Sequence, residues 1–127
     1  MKILGIGVDI VENIRIHKSI KNINFIKRVF SSSEILLAKK IINKKSYYSK
    51  RFAAKEAFSK ALGTGISNGI SFNEIIILNK KSGKPYITLS GQTKRIIERK
   101  FKRKKIKISL SLSDETKYAV AFVTISI

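Results

Sequence analysis

The apolar residues of this chain follow two periods, one suited to strands and one to a long helix. Ile3, Leu4, Ile6 and Val8, interleaved with Gly5 and Gly7, predict a buried strand over residues 2–9. After a turn at Glu12-Asn13, a short basic helix is expected over about 14–20, and Asn24 is expected to cap a helical turn from Phe25 to Val29. Ser31-Ser32-Ser33-Glu34 has the form of a capping box ahead of Ile35, Leu36 and Leu37, with that helix ending near Asn43-Lys44. From Ser46 to Gly63 the spacing is helical again. Ala53, Ala54, Ala57, Phe58, Ala61 and Leu62 fall on one broad face, and Lys55, Glu56, Ser59 and Lys60 share the other with Phe52. Beyond a glycine-punctuated loop, Phe72–Leu78 and Tyr86–Leu89 predict a strand pair around the turn Lys80-Lys81-Ser82-Gly83. Thr93–Lys100 predicts a helix, and Lys102-Arg103-Lys104-Lys105 a basic turn. The alternation Ile106, Ile108, Leu110, Leu112 predicts a half-buried strand, continued by Tyr118–Ile127 after a turn at Asp114–Lys117.

Composition narrows the class. At 127 residues with 43% hydrophobic content, the chain supports one domain, residues 1–127, around a single core. It has no cysteine and a single histidine, His17, which excludes disulfides, thiolate zinc sites and multi-histidine metal clusters. His17 has no partner in sequence and is assigned no catalytic role. No apolar run approaches a membrane span, and the opening residues are too short for a signal core, so a cytoplasmic protein is expected. The formal charge is +19, but lysine outnumbers arginine 21 to 6 and isoleucine reaches 23. That bias fits AT-rich coding drift as well as selection for a partner. Whatever its origin, the positive field steers acidic partners.

Only eight carboxylate side chains accompany this charge, and two of them stand out. Asp9 follows the first apolar run, and Glu56 lies mid-helix between Lys55 and Lys60. An acid at a strand end with an acid on a basic helix is what a magnesium–phosphate site requires, since the metal takes one or two hard oxygen ligands and phosphates need nearby cations. Each also has a plainer explanation. Asp9 suits a turn or cap after a strand, and Glu56 with Lys60 suits a helical ion pair worth a few tenths of a kcal/mol. Gly63-Thr64-Gly65 serves equally as a phosphate nest or as a helix stop. Arg15, Lys18 and Lys21 form a basic stripe that a solvated helix face would explain.

Four motifs occur together in one order: Gly5-x-Gly7-x-Asp9-Ile10-Val11-Glu12, then Arg51-Phe52-Ala53-Ala54-Lys55-Glu56-Ala57 with Gly63-Thr64-Gly65, then Gly83-Lys84-Pro85, then Ser111-Leu112-Ser113-Asp114-Glu115-x-x-Tyr118-Ala119. Taken together they resemble the holo-[acyl-carrier-protein] synthases, small bacterial 4'-phosphopantetheinyl transferases, over nearly the whole chain. The resemblance implies an α+β fold of mostly antiparallel strands with helices packed on one side, assembled as a homotrimer with active sites between subunits. Phe52, among charged residues, is then expected at a subunit contact. It also implies transfer of 4'-phosphopantetheine from coenzyme A to a serine of apo-acyl-carrier protein, for fatty acid biosynthesis. Asp9 and Glu56 become Mg²⁺ ligands, and Glu56 and Lys60 catalytic residues. Arg51, Lys55, Lys60, Gly63 and Gly65 become candidates for coenzyme A, and Arg15, Lys18 and Lys21 for carrier-protein docking. One common form of the family has histidine after Ser-Leu-Ser; here Asp114 stands there, so the proton acceptor is left to water or hydroxide on the metal, or to Glu56. No membrane or nucleic-acid partner is expected. The alternative is a small basic nucleic-acid-binding protein, supported by the charge and the Lys102–Lys105 turn but by no zinc spacing, RNA-recognition aromatics or helix-turn-helix.

Overall fold

The computed structural model describes residues 1–63 and 69–127. In chain order it comprises β1 (Ile3–Glu12), α1 (Asn13–Ser19), α2 (Ile23–Val29), α3 (Ser32–Ala38), α4 (Lys44–Leu62), a 3-10 turn (Phe72–Glu74), β2 (Ile75–Asn79), β3 (Pro85–Leu89), α5 (Gly91–Lys100), β4 (Lys107–Asp114) and β5 (Tyr118–Ser126). β1, β5 and β4 form an antiparallel sheet in that spatial order, and β2 and β3 form a separate antiparallel pair. This is the expected α+β class. Among the described residues no helix is long and apolar enough to cross a membrane.

Helix α4 lies directly on the inner face of the larger sheet. Gly5 and Gly7 make this possible, because a Cβ on either would overlap the backbone carbonyl oxygen of Ala61 or Ala57. On the helix side the contact is made by Ala53, Ala57 and Ala61, and on the sheet side Val11, Ala119, Ala121, Val123 and Ile125 complete the core. The glycine–alanine seam thus places β1 and α4 backbone to backbone, with no large side chain between them. Asn43 starts α4 by accepting the Ser46 N–H at 3.0 Å, and Gly63 stops it in the left-handed conformation (φ 79°).

The opposite face of the sheet is apolar and uncovered. Ile6, Val8 and Ile10 are 58%, 54% and 62% exposed, and Phe122, directly across from Val8, is 43% exposed. Alternation along β1 therefore divides cleanly: Gly7, Asp9 and Val11 turn toward α4, and Ile6, Val8 and Ile10 turn away.

Several boundaries depart from the sequence pattern. β1 runs three residues past Asp9, because β5 pairs with it as far as Glu12 opposite Tyr118. Asn22, not Asn24, caps α2, accepting the Asn24 N–H at 2.9 Å. The capping box of α3 is present, but the helix ends at Ala38, well before Asn43. Phe72–Glu74 forms a 3-10 turn ahead of β2, and Glu74 turns away to accept N–H bonds from Gln92 and Thr93 at the start of α5, both at 3.1 Å.

Candidate active site

Asp9 and Glu56 come together where β1 passes beneath α4. Asp9 projects toward the helix with its side chain 16% exposed, inside the strand and not at its end as the sequence pattern predicts. Lys60, one turn beyond Glu56, donates to Asp9 Oδ1 at 3.1 Å and to the Val8 carbonyl oxygen at 3.0 Å. Glu56 is half-buried. Burial first, and then the negative charge of Asp9, push its carboxyl above the usual carboxylate range; Lys60 and Arg15 oppose the shift. The mutual electrostatics therefore join four side chains from three elements: Asp9, Glu56, Lys60 and Arg15. Glu56 also opens onto a cavity of about 440 Å³ whose walls include Arg28, Phe52, Phe72 and Asn73. Phe52 lines the same cavity, its ring 6.1 Å from those of both Phe25 and Phe72.

The structure corrects the reading of Lys55. Its side chain is wholly buried, and its ammonium donates to Glu34 Oε1 at 2.8 Å, to the Phe72 carbonyl oxygen at 3.0 Å and to the Ile75 carbonyl oxygen. All three protons have acceptors, so Lys55 has no donor left for a coenzyme A phosphate. Burial pulls its pKa down to about 8, against the pull of Glu34. Ser59, assigned with it to the charged face, is buried as well. Gly63 is a helix stop whose N–H bonds the Lys60 carbonyl oxygen at 3.0 Å, so it cannot also serve as a nest donor. Gly65, with Thr64, lies outside the described residues.

Arg51 is also largely buried. Its guanidinium stacks 3.7 Å above the Tyr47 ring and donates to Asn79 Oδ1 at 2.6 Å, while its Nε has no partner among the described residues. It does reach the wall of a cleft of about 300 Å³ that also includes Ser46, Lys50 and Asn79. Asp114, after Ser111-Leu112-Ser113, accepts from Ser46 Oγ at 2.5 Å and lies 3.9 Å from the Lys50 ammonium. Sequence reasoning missed this second cluster, because Ser46 lies 68 residues from Asp114 and in none of the four motifs, so nothing local links the two. Arg15 and Lys18 are exposed on α1, whereas Lys21 falls past its end at Ser19, so the basic stripe bends off the helix.

The donor set at Asp9 and Glu56 suits a hard divalent cation. Positive charge beside the two carboxylates would offset the burial and the Asp9 charge that raise the proton affinity of Glu56, and the Lys60 ammonium already gathers at Asp9 and the Val8 carbonyl. Among the described residues no group of three or more potential ligand side chains occurs, but magnesium needs only one or two protein carboxylates and completes its shell with water and phosphate.

The family model described as the 4'-phosphopantetheinyl transferase superfamily matches residues 5–123. The chain belongs to that superfamily. A holo-[acyl-carrier-protein] synthase of Pelagibacter ubique is 66% identical over 123 residues, covering 97% of this chain and 96% of the relative. Among solved structures, the Neisseria meningitidis holo-[acyl-carrier-protein] synthase superposes with a TM-score of 0.87 at 37% identity, covering 98% and 99% of the two chains. The Bacillus anthracis synthase, in complex with CoA (3',5'-ADP), gives 0.82 at 34% identity over 99% and 98%. Membership of the phosphopantetheinyl transferase superfamily leaves the nucleic-acid-binding alternative without support.

Proposed function

We propose that this chain transfers 4'-phosphopantetheine from coenzyme A to a serine of apo-acyl-carrier protein, releasing adenosine 3',5'-bisphosphate. The observation that carries it is the Asp9–Glu56–Lys60 cluster, formed by two motifs of the superfamily and brought together by the glycine–alanine seam. In the reaction the serine oxygen forms a bond to the β-phosphorus, the bond to the bridging anhydride oxygen breaks, and the bisphosphate leaves with that electron pair. The serine proton goes to Glu56 or to solvent; with Asp114 after Ser-Leu-Ser, no histidine is available there to take it. Asp9 and Glu56 would hold Mg²⁺, which when bound supplies Lewis-acid stabilisation of charge on the pyrophosphate. Lys60 turns from Asp9 toward the pyrophosphate and offsets the charge that grows on the 5'-phosphate of the departing bisphosphate. Arg51, at the wall of its cleft, remains a candidate from α4 for a coenzyme A phosphate beside Lys60, and Arg15 and Lys18 present positive charge to an acidic carrier surface.

A homotrimer follows from the same reading, with the uncovered face of Ile6, Val8, Ile10 and Phe122 as the subunit contact. The test is the intact mass of an apo-acyl-carrier protein after incubation with this chain, coenzyme A and Mg²⁺. The expected outcome is a gain of one phosphopantetheine that EDTA abolishes. No gain against several apo-carrier proteins, from a chain with native circular dichroism, would sink the proposal.

A further inference from the structure

Lys55 immediately precedes Glu56, yet it faces the other way and touches nothing in the cluster. It is one of the largest wholly buried side chains among the described residues, and its salt-bridge partner, Glu34, is 0% exposed too. Glu34 is saturated in turn. Its Oε1 accepts from the Ser31 N–H at 2.9 Å as well as from Lys55, and its Oε2 accepts from the Ile77 N–H at 3.1 Å. Its main-chain carbonyl accepts from the Tyr47 hydroxyl of α4 at 2.7 Å. A single buried pair thus ties together α4, the first turn of α3, the 3-10 turn at Phe72 and strand β2.

Stability alone does not call for such a pair. Apolar residues of similar volume commonly replace buried ion pairs at no loss, because desolvation of the two charges offsets their attraction. What a directional pair supplies and a methyl group cannot is a fixed position. The contact of α4 with β1 is a seam of alanine against glycine, and its bonds from Lys60 to Asp9 and Val8, from Arg51 to Asn79 and from Ser46 to Asp114 are reached by solvent, whereas the Lys55–Glu34 pair is wholly buried. Phe72, whose carbonyl is held by Lys55, forms a wall of the cavity onto which Glu56 opens. One side of the helix therefore carries Glu56, and the other is pinned to the turn that faces Glu56 across the cavity.

We infer that Lys55 and Glu34 are positioning residues for transfer: their buried pair fixes the register of α4 against the Phe72 turn and so sets Glu56 relative to the cavity wall. This rests on the transferase reading above, and the experiment keeps the two apart. Lys55→Met and the charge-free double variant Lys55→Met/Glu34→Gln are assayed with coenzyme A, Mg²⁺ and apo-carrier protein, rates being divided by the folded fraction from circular dichroism. The expected result is a fall in kcat of roughly 30-fold in both. The KM for the carrier should stay within about twofold, because α1 makes no bond to the pair. The double variant should melt closer to the parent than the single one does, since it leaves no unpaired buried charge. Parental kcat in either folded variant would overturn the inference, as would a double variant that fails to fold, which would make the pair a requirement of folding and not of the site. A parent chain that transfers nothing would instead defeat the functional reading.

Discussion

Under the proposed function Glu56 answers to two opposed demands, since it would have to be anionic to hold a cation yet sits half-buried beside Asp9. Its proton affinity is raised in the fold, first by burial and then by Asp9. The folded protein thus holds this proton more tightly than the unfolded chain, and in the absence of metal stability falls as pH rises through the shifted titration. Glu56→Gln removes the repulsion along with the ligand. It should lower phosphopantetheine transfer at least about 100-fold while leaving the metal-free melting temperature at neutral pH unchanged or higher. Turnover near the parental level with Mg²⁺, measured by carrier mass, would reject the ligand assignment. At this scale Asp9, Glu56 and Lys60 were picked out by the family resemblance, since their residue types alone fit a turn and a helical ion pair as well; the fold does bring the three together. The burial of Lys55 was not legible, since it depends on Glu34, which arrives from 21 residues away and which the sequence marks only as a helix cap.

Elements were legible where the start signal is local. The Ser31–Glu34 box was read correctly because both halves lie within four residues, whereas the end of α3 has no such mark and was placed too late. Phe72–Glu74 was read as strand from its apolar flank; the competing demand is remote, because Glu74 is taken up by α5. Burial works to raise the Glu74 pKa, but bonds from the Thr93 hydroxyl, the Thr93 N–H and the Gln92 N–H outweigh it and hold the carboxyl below its ordinary 4.5. The stability so gained is present above that value and is lost as pH falls through the depressed pKa. Glu74→Gln should therefore cost roughly 1 kcal/mol at pH 7, the usual worth of a capping side chain, and the gap should close in acid. Urea titrations at pH 7 and near pH 3 check this. An equal gap at both would mean that the carboxylate charge plays no part.

For the whole molecule, the alternation in β1 told which residues lie on one face but not which face would stay uncovered, because a period of two is blind to the partner layer. If the uncovered face joins subunits, Val8→Asp places a charge at its middle, opposite Phe122. Light scattering should then report one chain mass in place of three, and an unchanged three-chain mass would put the contact elsewhere. The larger sheet has a further consequence, in its pairing of Ile3 with Ser126 and in the bonds between Lys2 and Ile127, both 3.0 Å. β5 is the central strand, so on the ribosome β1 and α4 emerge well before the strand that joins β1 to β4. Glycine against alanine buries little apolar area between them, so the docking of α4 on the completed sheet is expected to wait until β5 has left the exit tunnel.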